Sequence, residues 1–128
     1  MSEARRLRGT AARLSGRKAE WRAALLLMLK GYRILGFRLR TPLGEVDLLA
    51  LRGRTLAVVE VKQRTTLEAA LECVTYDQRE RLRRAGQLIA DRRPGLKDAL
   101  VRLDLMALAP GRWPRHIVDA WKGDSPQR

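Results

Sequence analysis

A carboxylate and an ammonium stand inside an apolar, strand-like run, Leu56-Ala57-Val58-Val59-Glu60-Val61-Lys62. Burying either charge without a partner costs several kcal/mol, so any fold of this chain must supply one for each. Side chains alternate faces along a strand. Glu60 and Lys62 therefore share one face while Val59 and Val61 share the other. A second carboxylate has the same kind of setting upstream, Asp47 in Gly44-Glu45-Val46-Asp47-Leu48-Leu49-Ala50-Leu51. Three charges on two neighbouring apolar strands read more as a site than as a core.

The turn between those strands sets how the charges meet. If Arg52-Gly53-Arg54 turns as a two-residue hairpin loop, with Gly53 at the positive φ of a type II′ turn, Arg52 pairs with Thr55. Counting five residues away from that pair along each strand puts Asp47 opposite Glu60 on one face, with Cα atoms about 4.5 to 5.5 Å apart. A three-residue loop would put them on opposite faces. A first strand over about 32–40, ended by Thr41-Pro42, completes an antiparallel meander with strands at about 44–52 and 55–63.

Elsewhere the pattern predicts one domain over 15–122, between a loose basic arm at 1–14 and a frayed tail at 123–128. Ser15 caps a helix running to about Lys30, with Gly31 just past its end. Trp21, Ala24, Leu25, Met28 and Leu29 form its apolar stripe, and Glu20 lies on the flank near the core edge. A short helical piece over 67–74 precedes a longer helix over 76–92. There Leu82, Ala85, Leu88 and Ile89 face inward, and Arg79, Arg81, Arg83 and Arg84 make the rest basic. Pro94-Gly95 stops it. A strand over 100–108, a turn at Pro110-Gly111 and a last strand near Ile117 to Trp121 follow. Asp104 and Asp119 read as structural acids bonded to neighbouring arginines, Cys73 as a small buried hydrophobe, and His116 as an ordinary residue at the start of a strand.

Charge supplies a partner class. The 128 residues hold 27 Lys and Arg against 14 Asp and Glu, a net +13, and a polyanion is the natural partner, nucleic acid before membrane. One cysteine and one histidine exclude a zinc site of Cys and His ligands within the chain and allow no internal disulfide, as suits a reducing cytoplasm. There is no GxxxxGK[ST] or GxGxxG loop to cradle a nucleotide. The apolar stretch Ala23 to Leu29 is too short to cross a bilayer. The arginines near the N-terminus lack a following apolar segment, so no secretory signal is expected, and an organellar transit peptide is a minor alternative.

Asp47, Glu60 and Lys62 supply what phosphodiester hydrolysis needs. Two carboxylates can hold Mg²⁺ or Mn²⁺, the Val61 carbonyl between the strand residues can be a third ligand, and the lysine can orient water or stabilise charge on phosphate. A structural ion pair between Glu60 and Lys62, with Asp47 bonded to a nearby arginine, fits the residue types equally well.

The wider pattern favours the site. Gly16 to Glu20, Gly31-Tyr32-Arg33-Ile34-Leu35, Gly44-Glu45-Val46-Asp47, Val58 to Arg64, Val101-Arg102-Leu103-Asp104 and Ile117-Val118-Asp119-Ala120-Trp121 resemble, in this order, the YraN-type family of predicted endonucleases within the PD-(D/E)XK nuclease superfamily. The resemblance implies an α/β, restriction-endonuclease-like core, a mixed central sheet flanked by helices. It implies a metal-dependent DNA endonuclease in which Asp47 and Glu60 hold the metal, Lys62 is the catalytic lysine, and Glu20 reaches the metal through water as in Holliday-junction-resolvase-like members. Branched DNA and a homodimer follow by the same analogy. The alternative is a nucleic-acid-binding module that keeps the fold without turnover.

Glu20 also reads as a first-turn acid favoured by the helix dipole, and Glu45 as a solvated spare carboxylate. Many family members carry a lysine where this chain has Gln78. Gln78, Arg79 and Arg64 are candidate nucleic-acid contacts, although Thr75-x-x-Gln78 is also a capping box, the favoured reading of Gln78.

Overall fold

Helix α1 covers residues 17–29 and ends on glycine. Gly31 takes φ 93°, its N–H donates to Met28 C=O at 3.0 Å, and Tyr32 N–H donates to Leu27 C=O at 2.9 Å. That bond pair is the Schellman closure, which only a left-handed residue allows cheaply. The structure, a computed structural model, describes residues 17–124. The basic arm at 1–14, the Ser15 cap and the last four residues lie outside the described residues.

Five strands form one mixed sheet in the order β1 (Arg33–Thr41), β2 (Gly44–Arg52), β3 (Thr55–Gln63), β4 (Leu100–Leu108), β5 (Arg115–Ile117). β1, β2 and β3 are the antiparallel meander. β4 lies parallel to β3, because the chain crosses back through α2 (Leu67–Glu72) and α3 (Tyr76–Arg92). The architecture is α/β with helices on both faces.

The inner face of α1 differs from the expected stripe. Ala19, Ala23, Ala24 and Leu27 are buried against Leu48, Ala50, Ala57 and Val59, while Trp21, Leu25, Met28 and Leu29 are 62%, 56%, 45% and 73% exposed. Alanines let the helix lie close to the sheet. A stripe chosen by side-chain size misses that geometry, and it leaves a row of large apolar groups outside. On the other face α3 packs Leu82, Ala85 and Ala90 against Val58 and Leu103. The helix comes so close that a Cβ on Gly86 would meet Val58 Cγ2 at 2.4 Å and Val101 Cγ1 at 3.0 Å.

At the far edge, the last strand is Arg115–Ile117, not the expected 117–121. Asp104, fully buried on β4, draws it in. Its carboxylate accepts from Arg102 Nε and Nη2 at 2.8 Å each, from His116 Nε2 at 2.7 Å and from Asp119 N–H at 2.9 Å. Lys30 Nζ lies 2.5 Å from His116 Nδ1, and an ammonium can only donate, so Nε2 carries the imidazole hydrogen. His116 is thus a buried clamp. Asp119 turns the chain with φ 49°, which ends the strand. Gly123 and Asp124, expected to fray, sit in a 3₁₀ turn over Lys122–Asp124, with Asp124 bound by Arg79 and Arg83.

Two stability changes follow. Gly86→Ala should destabilise by about 1–3 kcal/mol, because Val58 and Val101 must move to admit the methyl, and urea unfolding reads it directly. Burial pushes the Asp104 carboxyl up, but the hydrogen bonds from His116, Arg102 and Asp119 outweigh it and hold the carboxyl below its ordinary range. A depressed carboxylate favours the folded state above the ordinary aspartate value of about 3.9 and loses that effect as pH falls further. Asp104→Asn should therefore cost about 3 kcal/mol at pH 7, with the gap to the parent narrowing below pH 4.

Candidate metal and phosphate site

The β2–β3 ladder runs from Arg52↔Thr55 to Leu48↔Val59. Gly53 takes φ 60° and no positive φ falls on Arg54, as a type II′ turn requires. The next pair in that register is Asp47 with Glu60. There the backbone ladder stops, and Asp47 Oδ2 accepts the Val61 N–H at 2.9 Å. On a strand, one residue's N–H and C=O point to the same side. The Val61 carbonyl therefore faces the Asp47 side too.

The strands part at a kink in β1. Arg38 sits at φ 49°, across from Asp47 between the pairs Phe37↔Leu48 and Leu39↔Val46. Phe37 packs in the α1-side cluster and Leu39 in the α3-side cluster, although residues two apart share a face on a regular strand. Leu48 and Val46 split the same way. A left-handed arginine costs of order 1–3 kcal/mol and persists only where its surroundings enforce it. Here Glu20 of α1 takes the Arg38 guanidinium, with Nε at 3.2 Å from Oε2.

Three ionisable side chains meet at the parted end. Lys62 Nζ is 3.4 Å from Glu60 Oε2, and only 12% of the Glu60 side chain is exposed. Burial pushes the Glu60 carboxyl up, the Asp47 charge and a hydrogen bond with Asp47 push it further, and Lys62 opposes them incompletely, so it rises to about 8. At neutral pH Glu60 thus holds a proton in the metal-free protein. Glu60 also borders a cleft of about 190 Å³, shared with Glu45 on β2 and with Gln78 and Arg81 on α3.

The expected residues divide. Asp47, Glu60, Lys62 and the Val61 backbone come together. Glu20 is spent on Arg38, and among the described residues no group of three or more acidic, His or Cys side chains is placed to hold a metal. Gln78 closes the capping box of α3, with Thr75 N–H donating to its Oε1 at 2.8 Å and Gln78 N–H donating to Thr75 Oγ1 at 3.2 Å. Only its amide NH₂ is left for the cleft. Arg79, expected to face nucleic acid, instead donates to Asp124 and to the Val74 carbonyl at 2.7 Å, because its helix position turns it toward the C-terminal turn. Arg64 is exposed at the end of β3, its Nη1 donating to Gln63 C=O at 2.7 Å. Arg81, which the sequence offers with Arg79 in place of the family's lysine, stands one turn from Gln78 on the same helix face and lines the cleft. One residue escaped the sequence reading. Nothing in Phe37-Arg38-Leu39 signals a left-handed arginine.

The protein so described is an α/β sheet protein with two carboxylates and a lysine at the parted end of its central hairpin. It belongs to the family described as "Uncharacterised protein family UPF0102", which residues 19–108 match, the YraN family that the sequence motifs resemble. A UPF0102 protein of Caulobacter sp. (strain K31) is 75% identical over 114 residues, 89% of this chain and 82% of the relative. One from Caulobacter vibrioides (strain NA1000 / CB15N) is 70% identical over 93% of this chain and 95% of its own length. One from Parvibaculum lavamentivorans is 49% identical over 89% and 86%. No helix among the described residues is long and apolar enough to cross a membrane.

The Glu60 proton gives the site a pH signature. The unfolded chain releases that proton near the ordinary glutamate value of about 4.3 and the folded protein keeps it to about 8. Between those values the folded state binds more protons, so folding weakens as pH rises. In EDTA, Glu60→Gln, which mimics the protonated acid, should match the parent near pH 4.5 and exceed it by a few kcal/mol at pH 8. Denaturant midpoints at the two pH values check this, and a constant difference would remove the buried, charge-opposed glutamate.

Proposed function

We propose that this protein is a divalent-metal-dependent DNA endonuclease with a restriction-endonuclease-like core of the PD-(D/E)XK kind, acting in the cytoplasm. The observation that carries the reading is the Asp47–Glu60 pair beside Lys62 at the parted end of β2 and β3, where the Asp47 carboxylate accepts the Val61 N–H and Lys62 reaches Glu60. The donor set suits the ion. Mg²⁺ and Mn²⁺ are hard cations satisfied by one or two carboxylates together with carbonyls, waters and substrate phosphate. Asp47, Glu60 and the Val61 carbonyl would hold the cation, while Glu20 holds Arg38 at the kink beside them.

When bound, that cation supplies Lewis acidity toward the phosphate and lowers the pKa of the attacking water. Lys62 donates to the attacking water or to a phosphate oxygen, stabilising the charge that builds as one P–O bond forms and another breaks. The products are a phosphomonoester and a hydroxyl. Arg81 and the Gln78 amide face the cleft beside Glu60 and meet the neighbouring phosphates. The net +13 charge draws in the polyanion.

Mg²⁺-dependent cleavage of duplex, single-stranded and branched DNA should fall at least about 100-fold in Asp47→Ala and in Lys62→Met. In EDTA the charged Asp47 carboxylate repels the incoming phosphate, so Asp47→Asn should bind DNA more tightly than the parent and gain little from Ca²⁺, while Lys62→Met keeps the parent's Ca²⁺ response. If none of these DNAs is cut but the Ca²⁺ responses differ as described, the protein is the silent nucleic-acid-binding module. Identical responses in all three proteins would leave Glu60 and Lys62 a structural ion pair and end the metal-site reading.

A further inference from the structure

A second feature lies outside the carboxylate site, beyond the C-terminal ends of the parallel strands β3 and β4. The segments leaving these strands run side by side, tied by Arg64 N–H donating to Leu108 C=O at 3.0 Å. Two adjoining clefts of about 250 and 450 Å³ open there and share Arg64, Thr65, Leu108 and Ala109. Arg64, Arg112 and Arg115 line the first and Arg22 joins the second. Glu68 is the one acid among the described lining residues of the two. Trp113 stands in the first cleft 82% exposed, and among the described residues no aromatic ring or cation covers its indole face. The loop is not adrift, since Arg22 Nη2 donates to the Arg112 carbonyl at 3.0 Å and ties it to α1.

An open indole among arginines in a concave groove has the chemistry of a single-strand site. Bases stack on aromatic faces without regard to sequence while arginines follow the phosphates. Paired bases keep their faces inside the helix, so a duplex offers phosphates to such a groove and nothing to the tryptophan. The groove also adjoins the carboxylate site. Lys62 and Arg64 are two residues apart, about 7 Å along the strand, and Ala107, in register with Lys62, lines the first cleft.

We propose that this groove holds an unpaired nucleotide of single-stranded DNA, its base stacked on Trp113 and its phosphates on Arg64, Arg112 and Arg115. Taken with the nuclease reading, on which this part rests, it makes the substrate a DNA with a single strand leaving a duplex, such as a flap, an overhang or a branch.

Binding in EDTA separates the groove from the chemistry. The probes are fluorescein-labelled oligodeoxythymidine, a blunt duplex, and the same duplex with a single-stranded extension. Trp113→Ala, truncated at a side chain too exposed to matter for folding, should weaken binding of the oligomer and of the extended duplex about tenfold. Its blunt-duplex affinity should change less than about twofold. Trp113→Phe should recover most of the loss. Arg112→Gln with Arg115→Gln should flatten the salt dependence for the oligomer by about 1.4, two phosphate contacts at about 0.7 each.

Equal loss on all three probes, or none, overturns the proposal, and so does tighter binding of oligouridine RNA than of the DNA oligomer. Trp113 also borders a small apolar hollow with Leu25, Leu29 and Pro114. If Trp113→Ala instead dissociates a dimer and leaves nucleotide affinities intact, the ring belongs to a protein contact and the proposal falls. Cleavage distinguishes the two readings. DNA that is never cut but still bound with Trp113-dependent preference sinks the nuclease and keeps the groove. Metal-dependent cutting that shows no Trp113 dependence sinks the groove and keeps the nuclease.

Discussion

The bond from Val61 N–H to the Asp47 carboxylate is where a sheet becomes a candidate site. Had the β2–β3 ladder continued, a backbone carbonyl would have taken that N–H, and the strands would have closed over the charges. A side-chain acceptor instead satisfies the donor while β2 leaves β3, which meets the rule that buried backbone groups must be paired. Everything nearby depends on it. Glu60 and Asp47 come close enough to share a proton, the Val61 carbonyl is turned toward them, and the cleft bounded by Gln78 and Arg81 gains an entrance. The kink at Arg38 makes the departure possible, and Glu20 holds the kink in place. Glu20 can therefore matter to the site without touching it.

Two groups of carboxylates in one small protein show how structural acids differ from candidate working ones. Asp104 is more deeply buried than Glu60, yet its carboxyl lies below the ordinary range because two guanidinium nitrogens, an imidazole and a backbone N–H all donate to it. Glu60 has Lys62, but it also has Asp47, and like charge with burial exceeds what one ammonium returns. A fully hydrogen-bonded carboxylate has nothing left to offer a ligand. An under-compensated pair is stabilised by the first cation that arrives, and for this reason perturbed carboxylates mark candidate sites better than buried ones do.

How far the sequence was legible follows from which interactions are local. The hairpin register could be counted from Gly53 because a two-residue loop leaves one pairing, and the alternation of Val59, Glu60, Val61 and Lys62 then decided the faces. The capping box of Thr75 and Gln78 lies within four residues and was equally readable. The buried face of α1 was not. Hydrophobic size favoured Trp21, Leu25 and Leu29, but close helix-to-sheet packing selects alanine, and how near α1 lies depends on Ala50 and Ala57 some 30 residues away. The tie of Arg79 was not readable for a similar reason: its partner Asp124 is 45 residues on. The Arg38 kink has no local signature at all, since arginine is an ordinary strand residue and its φ is set by what surrounds it.

The polarity of the sheet joins the two halves of the molecule. In open α/β sheets, ligands gather in the crevice beyond the carboxyl ends of parallel strands, where the connecting segments diverge and leave space between them. Among the described residues only β3 and β4 are parallel, and the crevice at their carboxyl ends holds Arg64, Arg112, Trp113 and Arg115. β3 carries Glu60 and Lys62 toward that same end. The antiparallel partner β2 enters there from the opposite direction and supplies Asp47 near its start. One reversal of direction within the sheet, from antiparallel at β2 to parallel at β4, thus brings an acidic pair from the hairpin and a basic aromatic groove from the segments that leave β3 and β4 to the same end of one strand.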